Sequence, residues 1–231
     1  MIEIGFLIFP NIQQLDFTGP YEVFASAPDV RVHLVWKTLQ PVLSVTGLPF
    51  TATVTLQDCP KLDVFVVPGG RGVNALLQDD EIINFLRSQA SSVRYLTSVC
   101  TGSVALGAAG LLKGKRATTH WSSFDLLPQF GAIPVQERVV VDGNLITAGG
   151  ITSGIDFGLV VLTELLGRSI AEKVQLMLEY DPSPPFHCGT PSTARPEIVA
   201  EVRQDSRFSR EERERFVAEI IAKHGPFSAE L

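Results

Sequence analysis

The chain has 231 residues, 45% of them apolar and 19% charged, with a net charge of −6 and a pI near 5.2. That is enough apolar chain for one sizeable core, which excludes a disordered protein, and the acidic balance removes the electrostatic basis for binding nucleic acid or an anionic membrane. No apolar run is long enough for a membrane-spanning helix.

Taken in order, residues 3–9 read as a fully buried strand closed by Pro10. A loop over 11–19 carries Asp16, and Gly19-Pro20 open a helix that runs to Ser26. Residues 30–36 form a second strand, with weaker extended segments around 42–44 and 50–55. The next buried strand, 62–67, ends in Pro68-Gly69-Gly70. A helical apolar spacing covers 76–89, and 94–99 is the strand that leads into Cys100-Thr101-Gly102. The following helix reaches about residue 109, with Gly110 at its C-terminus.

Residues 115–119 read as a short strand and 122–130 as a helix interrupted at Pro128. Residues 137–142 and 145–147 flank Asp142-Gly143-Asn144, a hairpin-type turn. After Gly149-Gly150 come a long buried helix over 155–166 and another over 170–179, before Pro182-Ser183-Pro184-Pro185 breaks the pattern. From Ala194 the chain is charged and helical, with residues 210–215 expected on a solvated face. The expected division is an α/β domain over 1–193 and a helical extension over 194–231, packed on that domain or on a dimer partner.

Alternating strands and helices imply an α/β sandwich around a mostly parallel sheet, with helices on both faces. Ligands collect at the carboxyl ends of such strands. Leu15-Asp16, Pro68-Gly69-Gly70, Cys100-Thr101-Gly102 and Gly149-Gly150-Ile151 would all converge there.

Cys100 sits where a β-prone run turns sharply into a helix, the geometry of a nucleophile elbow. A thiol over helix-terminal N–H groups should have its pKa lowered toward the thiolate. Bland readings stand beside this one: Cys100 as a small buried hydrophobe, and Asp16 or Thr101 as a helix cap. Cys59, Cys100 and Cys188 are an odd, widely spaced set, which argues against a disulfide framework or a Cys-x-x-Cys zinc site. The four histidines are scattered singly, so no metal is expected. The opening Met1-Ile2-Glu3-Ile4 lacks the basic region of a signal peptide, and a cytoplasmic location is expected.

Several motifs in one order carry a resemblance: Gln13-Gln14-Leu15-Asp16-Phe17-Thr18-Gly19-Pro20, Ser98-Val99-Cys100-Thr101-Gly102-Ser103, and Gly107-Ala108-Ala109-Gly110-Leu111-Leu112. Gly114-Lys115-Arg116-Ala117-Thr118-Thr119-His120-Trp121 and Gly149-Gly150-Ile151-Thr152-Ser153-Gly154-Ile155-Asp156 continue the set. Over roughly the first 190 residues the chain resembles the ThiJ/PfpI superfamily, and within it the isocyanide hydratases. The ligand-sensing halves of some AraC-type regulators share Cys-Thr-Gly and Ala-Thr-Thr-His-Trp.

The resemblance implies a flavodoxin-like fold, a homodimer, and a cofactor-free lyase that adds water to a small-molecule isocyanide to give an N-substituted formamide. Cys100 would attack the terminal carbon and form a thioimidate, with Asp16 as acid and then base. A carboxyl beside a thiolate in a partly buried pocket should be protonated at rest. Thr101 would hold developing charge or a water. Gly69 and Gly70 would supply backbone N–H groups near the reacting atoms, and Gly150, Ile151 and His120 would border the pocket.

Other superfamily branches often place His after the cysteine or Glu at the acidic position, where this chain has Thr101 and Asp16. The missing imidazole weakens a cysteine-protease reading. About 37 residues after Ala194 are too few for a paired helix-turn-helix module. A non-catalytic ligand sensor and a cysteine redox sensor remain as alternatives.

Overall fold

The computed structural model describes residues 1–225. In chain order its elements are β1 (Ile2–Leu7), α1 (Gln14–Ala25), β2 (Val30–Trp36), β3 (Val42–Leu43), β4 (Pro49–Phe50), β5 (Val54–Thr55), β6 (Val64–Val67), α2 (Val73–Leu76), α3 (Asp80–Ala90), β7 (Tyr95–Val99) and α4 (Gly102–Ala108). There follow β8 (Arg116–Ala117), a 3-10 helix (Trp121–Phe130), β9 (Ile133–Pro134), β10 (Val139–Asp142), β11 (Leu145–Ala148), α5 (Ser153–Leu166), α6 (Arg168–Met177), α7 (Pro196–Asp205) and α8 (Arg207–His224).

Seven strands form the main sheet in the order β10-β11-β7-β6-β1-β2-β5. All neighbours pair in parallel except β10 with β11, the expected hairpin, which places one antiparallel strand at an edge. β6 reads Val-Phe-Val-Val and is buried at every position, because helices cover both faces of a parallel sheet. α1 and α5 pack on each other on one face, while α3 and α4 pack on β7 on the other. The core is rich in phenylalanine: Phe24 meets Phe157 of α5 edge-on at 6.1 Å, and Phe65 meets Phe85 of α3 at 5.5 Å. This is the flavodoxin-like α/β sandwich.

Four local expectations need correction. Helix α1 starts at Gln14, so Asp16 lies in its first turn, not in a loop, and Pro20 is inside the helix rather than at its start. Proline lacks only the one N–H that would reach the Asp16 carbonyl. Its ring packs where Gly154 of α5 leaves room, and a Cβ on Gly154 would stand 3.0 Å from Pro20 Cδ. Packing of α1 on α5 outweighs the loss of one hydrogen bond.

The single helix expected over 76–89 is two, because Asp79 caps a new helix by accepting from the Ile82 N–H at 3.2 Å. The segment around Pro128 is a 3-10 helix throughout. Residues 210–215 are not a uniformly solvated face: Arg213 is 5% exposed. Arg213, Val217 and Ile220 share one side of α8, which packs on the 3-10 helix and on α2. Residues 226–231, the last part of the expected extension, lie outside the described residues. Among the described residues no helix is long and apolar enough to cross a membrane.

Close approach of backbones fixes the strand-to-helix turn. A Cβ on Gly102 would stand 1.9 Å from the Val67 carbonyl oxygen of the neighbouring strand. Gly102→Ala should therefore destabilise the fold by about 3 kcal/mol or more, an overpacking effect against rigid backbone. Urea unfolding of the variant would check this.

Candidate active site

β1, β6, β7 and β11 all end at the same edge of the sheet, and their following loops meet there. The order of connections reverses between β2 and β6 around β1, so the crevice at a topological switch point opens beside Asp16.

Cys100 follows β7 directly and has φ +57°, a left-handed conformation that costs a non-glycine residue about 1–2 kcal/mol. Four hydrogen bonds hold it there. Its N–H donates to the Ala148 carbonyl at 3.0 Å and to the Gly149 carbonyl at 2.9 Å. Its carbonyl accepts from Thr119 Oγ1 at 2.9 Å and Ser103 Oγ at 3.3 Å. The elbow is thus over-determined by β11, by the loop before the 3-10 helix and by its own helix.

Asp16 is fully buried. Its Oδ2 accepts from the Gly69 N–H at 2.8 Å, while Oδ1 has no hydrogen-bond partner among the described residues. Burial pushes the carboxyl up to about 7, although the Gly69 N–H and the Cys100 thiol act in the opposite direction. The Cys100 thiol is raised too, by burial and by the Asp16 charge, while the Thr101 N–H and Arg213 pull it down. The expected lowering of this thiol is therefore corrected. α4 is only seven residues long, and its positive end does not offset desolvation and a facing carboxylate. Thiol and carboxyl form a coupled pair.

Glycine is required beside them. A Cβ on Gly69 would lie 2.6 Å from the Thr101 nitrogen, 2.7 Å from Thr101 Oγ1 and 2.8 Å from Asp16 Oδ2. Gly70 has φ +126°, and its N–H donates to Thr101 Oγ1 at 3.1 Å. The N–H groups of Gly69 and Gly70 are therefore occupied in bracing Asp16 and Thr101. They are not free to receive charge on a substrate.

His120, Gly150 and Ile151 stand apart from this cluster, in the wall of an adjoining cavity of about 730 Å³ that also includes Trp121 and Phe124. Thr119 and Gly149 line the same cavity and both bond to the Cys100 backbone, so one layer of residues separates it from the elbow. Burial, and secondarily Arg213, push the His120 imidazole down to about 4. Its Nδ1 accepts from the Ser122 N–H at 3.3 Å, and a Cβ on Gly150 would touch its ring at 3.0 Å. His120 is a neutral side chain that caps the 3-10 helix.

The structure thus brings together Asp16, Gly69, Gly70, Cys100 and Thr101, and sets Gly150, Ile151 and His120 next door. Sequence reasoning missed Arg213, which donates to Asn74 Oδ1 and Ser123 Oγ, each at 2.9 Å. Extending the apolar spacing of Val217 and Ile220 back by one turn would have placed Arg213 on the inward face. No group of His, Cys, Asp and Glu suited to a metal occurs among the described residues.

Residues 3–164 match the DJ-1/PfpI family. The chain is 62% identical over 203 residues to a Pseudomonas putida protein named isonitrile hydratase, which covers 88% of this chain and 89% of that protein. It is 29% identical to the transcriptional regulator GbdR of Pseudomonas aeruginosa over 77% of this chain, but spans only 50% of that regulator. Among solved structures, a ThiJ/PfpI family protein from Pseudomonas syringae superposes with a TM-score of 0.90 at 41% identity, covering 94% of this chain and 90% of that one. With its flavodoxin-like sheet, its strained elbow cysteine and these relatives, the chain belongs to the DJ-1/PfpI family.

Proposed function

We propose that the protein is an isocyanide hydratase, a lyase that converts R–NC and water into an N-substituted formamide through a cysteine thioimidate. The observation that carries this reading is the 62% identity with the Pseudomonas putida isonitrile hydratase over nearly the whole of both chains. The chemistry of the site supports it.

The terminal carbon of an isocyanide holds a lone pair and accepts both a proton and a nucleophile. A buried thiol and carboxyl that share one proton supply both. The proton passes to the carbon as the Cys100 sulfur bonds to it, giving R–N=CH–S and leaving Asp16 as a carboxylate. Asp16 then takes a proton from water as the oxygen adds to that carbon, and returns it to the nitrogen. It next accepts the hydroxyl proton while the C–S bond breaks, which releases R–NH–CHO and restores the pair. A standing thiolate is not required, so the raised thiol is compatible with turnover. The partnerless Oδ1 is the oxygen from which Asp16 would deliver its proton.

Thr101 acts on the sulfur through its backbone N–H, while its hydroxyl is braced by Gly70. Gly150, Ile151 and His120, with Trp121 and Phe124, line the adjoining cavity, from which the R group would reach the elbow past Thr119 and Gly149. No cofactor enters this cycle. The site belongs to an α/β domain over residues 1–193, with 194–231 as its extension.

We also infer a homodimer, since Leu176, Met177 and Phe186 are 82%, 60% and 74% exposed and lie close in sequence. A cytoplasmic location fits the free state of Cys59, Cys100 and Cys188. A ligand-sensing role is favoured only by the likeness to half of GbdR, and a redox-sensing role only by the elbow thiol.

Purified protein given an aryl or alkyl isocyanide should produce the formamide. Cys100→Ala should abolish this, and Asp16→Asn should slow it by about 10²–10⁴-fold. Full activity of Cys100→Ala would refute the nucleophile. No turnover of any isocyanide would leave the sensor readings.

Asp16 also makes stability depend on pH. Its folded pKa, about 7, lies above the usual 3.8, so the folded state binds the proton more tightly. Stability from this group is complete below pH 4 and is lost as pH rises through about 7. Asp16→Asn, which is neutral at all pH, should be more stable than wild type at pH 8, by on the order of 1–4 kcal/mol. The gap should close toward pH 4, as urea unfolding at the two pH values would measure. For the assembly, sedimentation equilibrium should give twice the chain mass of 25.1 kDa.

A further inference from the structure

Helix α8 presents two arginines to the 3-10 helix, and they are satisfied differently. Arg210 meets charge: its guanidinium bonds to both Asp125 oxygens at 2.9 and 2.7 Å, to Glu214, and to the Ser122 carbonyl. Arg213 meets none. It is 5% exposed, and its hydrogen-bond partners are the Asn74 amide oxygen and the Ser123 hydroxyl, both neutral. The nearby Glu212 carboxylate is exposed and binds Asn74 Nδ2 at 2.8 Å, so an amide stands between it and the guanidinium. A buried cation without a carboxylate costs several kcal/mol, which a purely structural staple does not require.

Its place explains why the charge is kept. Asn74 belongs to α2, which follows the Gly69-Gly70 loop that braces Thr101. Ser123 belongs to the 3-10 helix, and Thr119, in the loop before that helix, holds the Cys100 carbonyl. Arg213 thus joins the two helices that follow the loops fixing the elbow. The charged groups that act on Cys100 are Asp16 from α1 and Arg213 from α8, and Arg213 has Arg210 and Glu212 on its own helix. Arg213 favours charge on Cys100 and disfavours it on His120.

We propose that Arg213 is a positioning residue for catalysis: its buried guanidinium, held by neutral groups alone, stabilises negative charge on the Cys100 sulfur as the proton leaves and again as the C–S bond breaks. The role rests on Cys100 being the nucleophile, and its test does not depend on which substrate is turned over.

The test is the pH dependence of Cys100 alkylation by iodoacetamide, read by mass spectrometry on wild type, Arg213→Met and Arg213→Lys, with folding followed by thermal melting. In Arg213→Met the profile should move up by about one pH unit, which is about tenfold slower alkylation at pH 7.5, with kcat falling in parallel and KM little changed. Arg213→Lys, which keeps the charge, should restore most of the rate. A folded Arg213→Met whose alkylation profile and kcat match wild type overturns the proposal. If Arg213→Met does not fold, Arg213→Gln removes the charge and keeps an amide that can donate to Asn74 Oδ1 or Ser123 Oγ. It should slow alkylation in the same way, and an unchanged profile there overturns the proposal equally. Slowed alkylation in a protein that hydrates no isocyanide would refute the hydratase reading and leave the effect of Arg213 on Cys100 standing.

Discussion

The structure depends on one buried pair, the carboxyl of Asp16 and the thiol of Cys100. In a low-dielectric site both cannot carry negative charge, so they hold a proton between them. Everything around the pair limits how it can relax. The Gly69 N–H fixes one oxygen of Asp16, and no described residue hydrogen-bonds the other. The left-handed backbone of Cys100 is pinned by Ala148, Gly149, Thr119 and Ser103. Burial that disfavours ionisation is what prepares the pair to give up a proton and a nucleophile together.

Such a pair needs backbones closer together than side chains normally allow. Gly69 and Gly102 are the two places where that happens, one against Thr101 and Asp16, the other against the end of β6. Glycine serves here by occupying no space, not by adopting an unusual φ. The cost in chain entropy is offset by a sheet in which β6 and β11 are buried at every position.

The C-terminal helix adds an element that the α/β sandwich lacks. Through Arg213 it ties α2 to the 3-10 helix, and through Val217 and Ile220 it joins the main core. A charge carried on an appended helix reaches the elbow without occupying it. The extension is thereby linked to the electrostatics of the site as well as to packing.

The sequence by itself determined the alternation of strands and helices, the hairpin at Asp142-Gly143-Asn144, the elbow at Cys100 and the convergence of its loops, because apolar period and turn chemistry are local properties. It also determined the pairing of Asp16 with Cys100, through motif resemblance rather than spacing, since 84 positions separate them. Only the tertiary structure decided that Pro20 lies within a helix, because the room made by Gly154 is a contact between distant segments. The same holds for the raised thiol, whose desolvation depends on every element packed around it. It holds too for Arg213, which looks solvated in a run of charges until α8 docks and buries it.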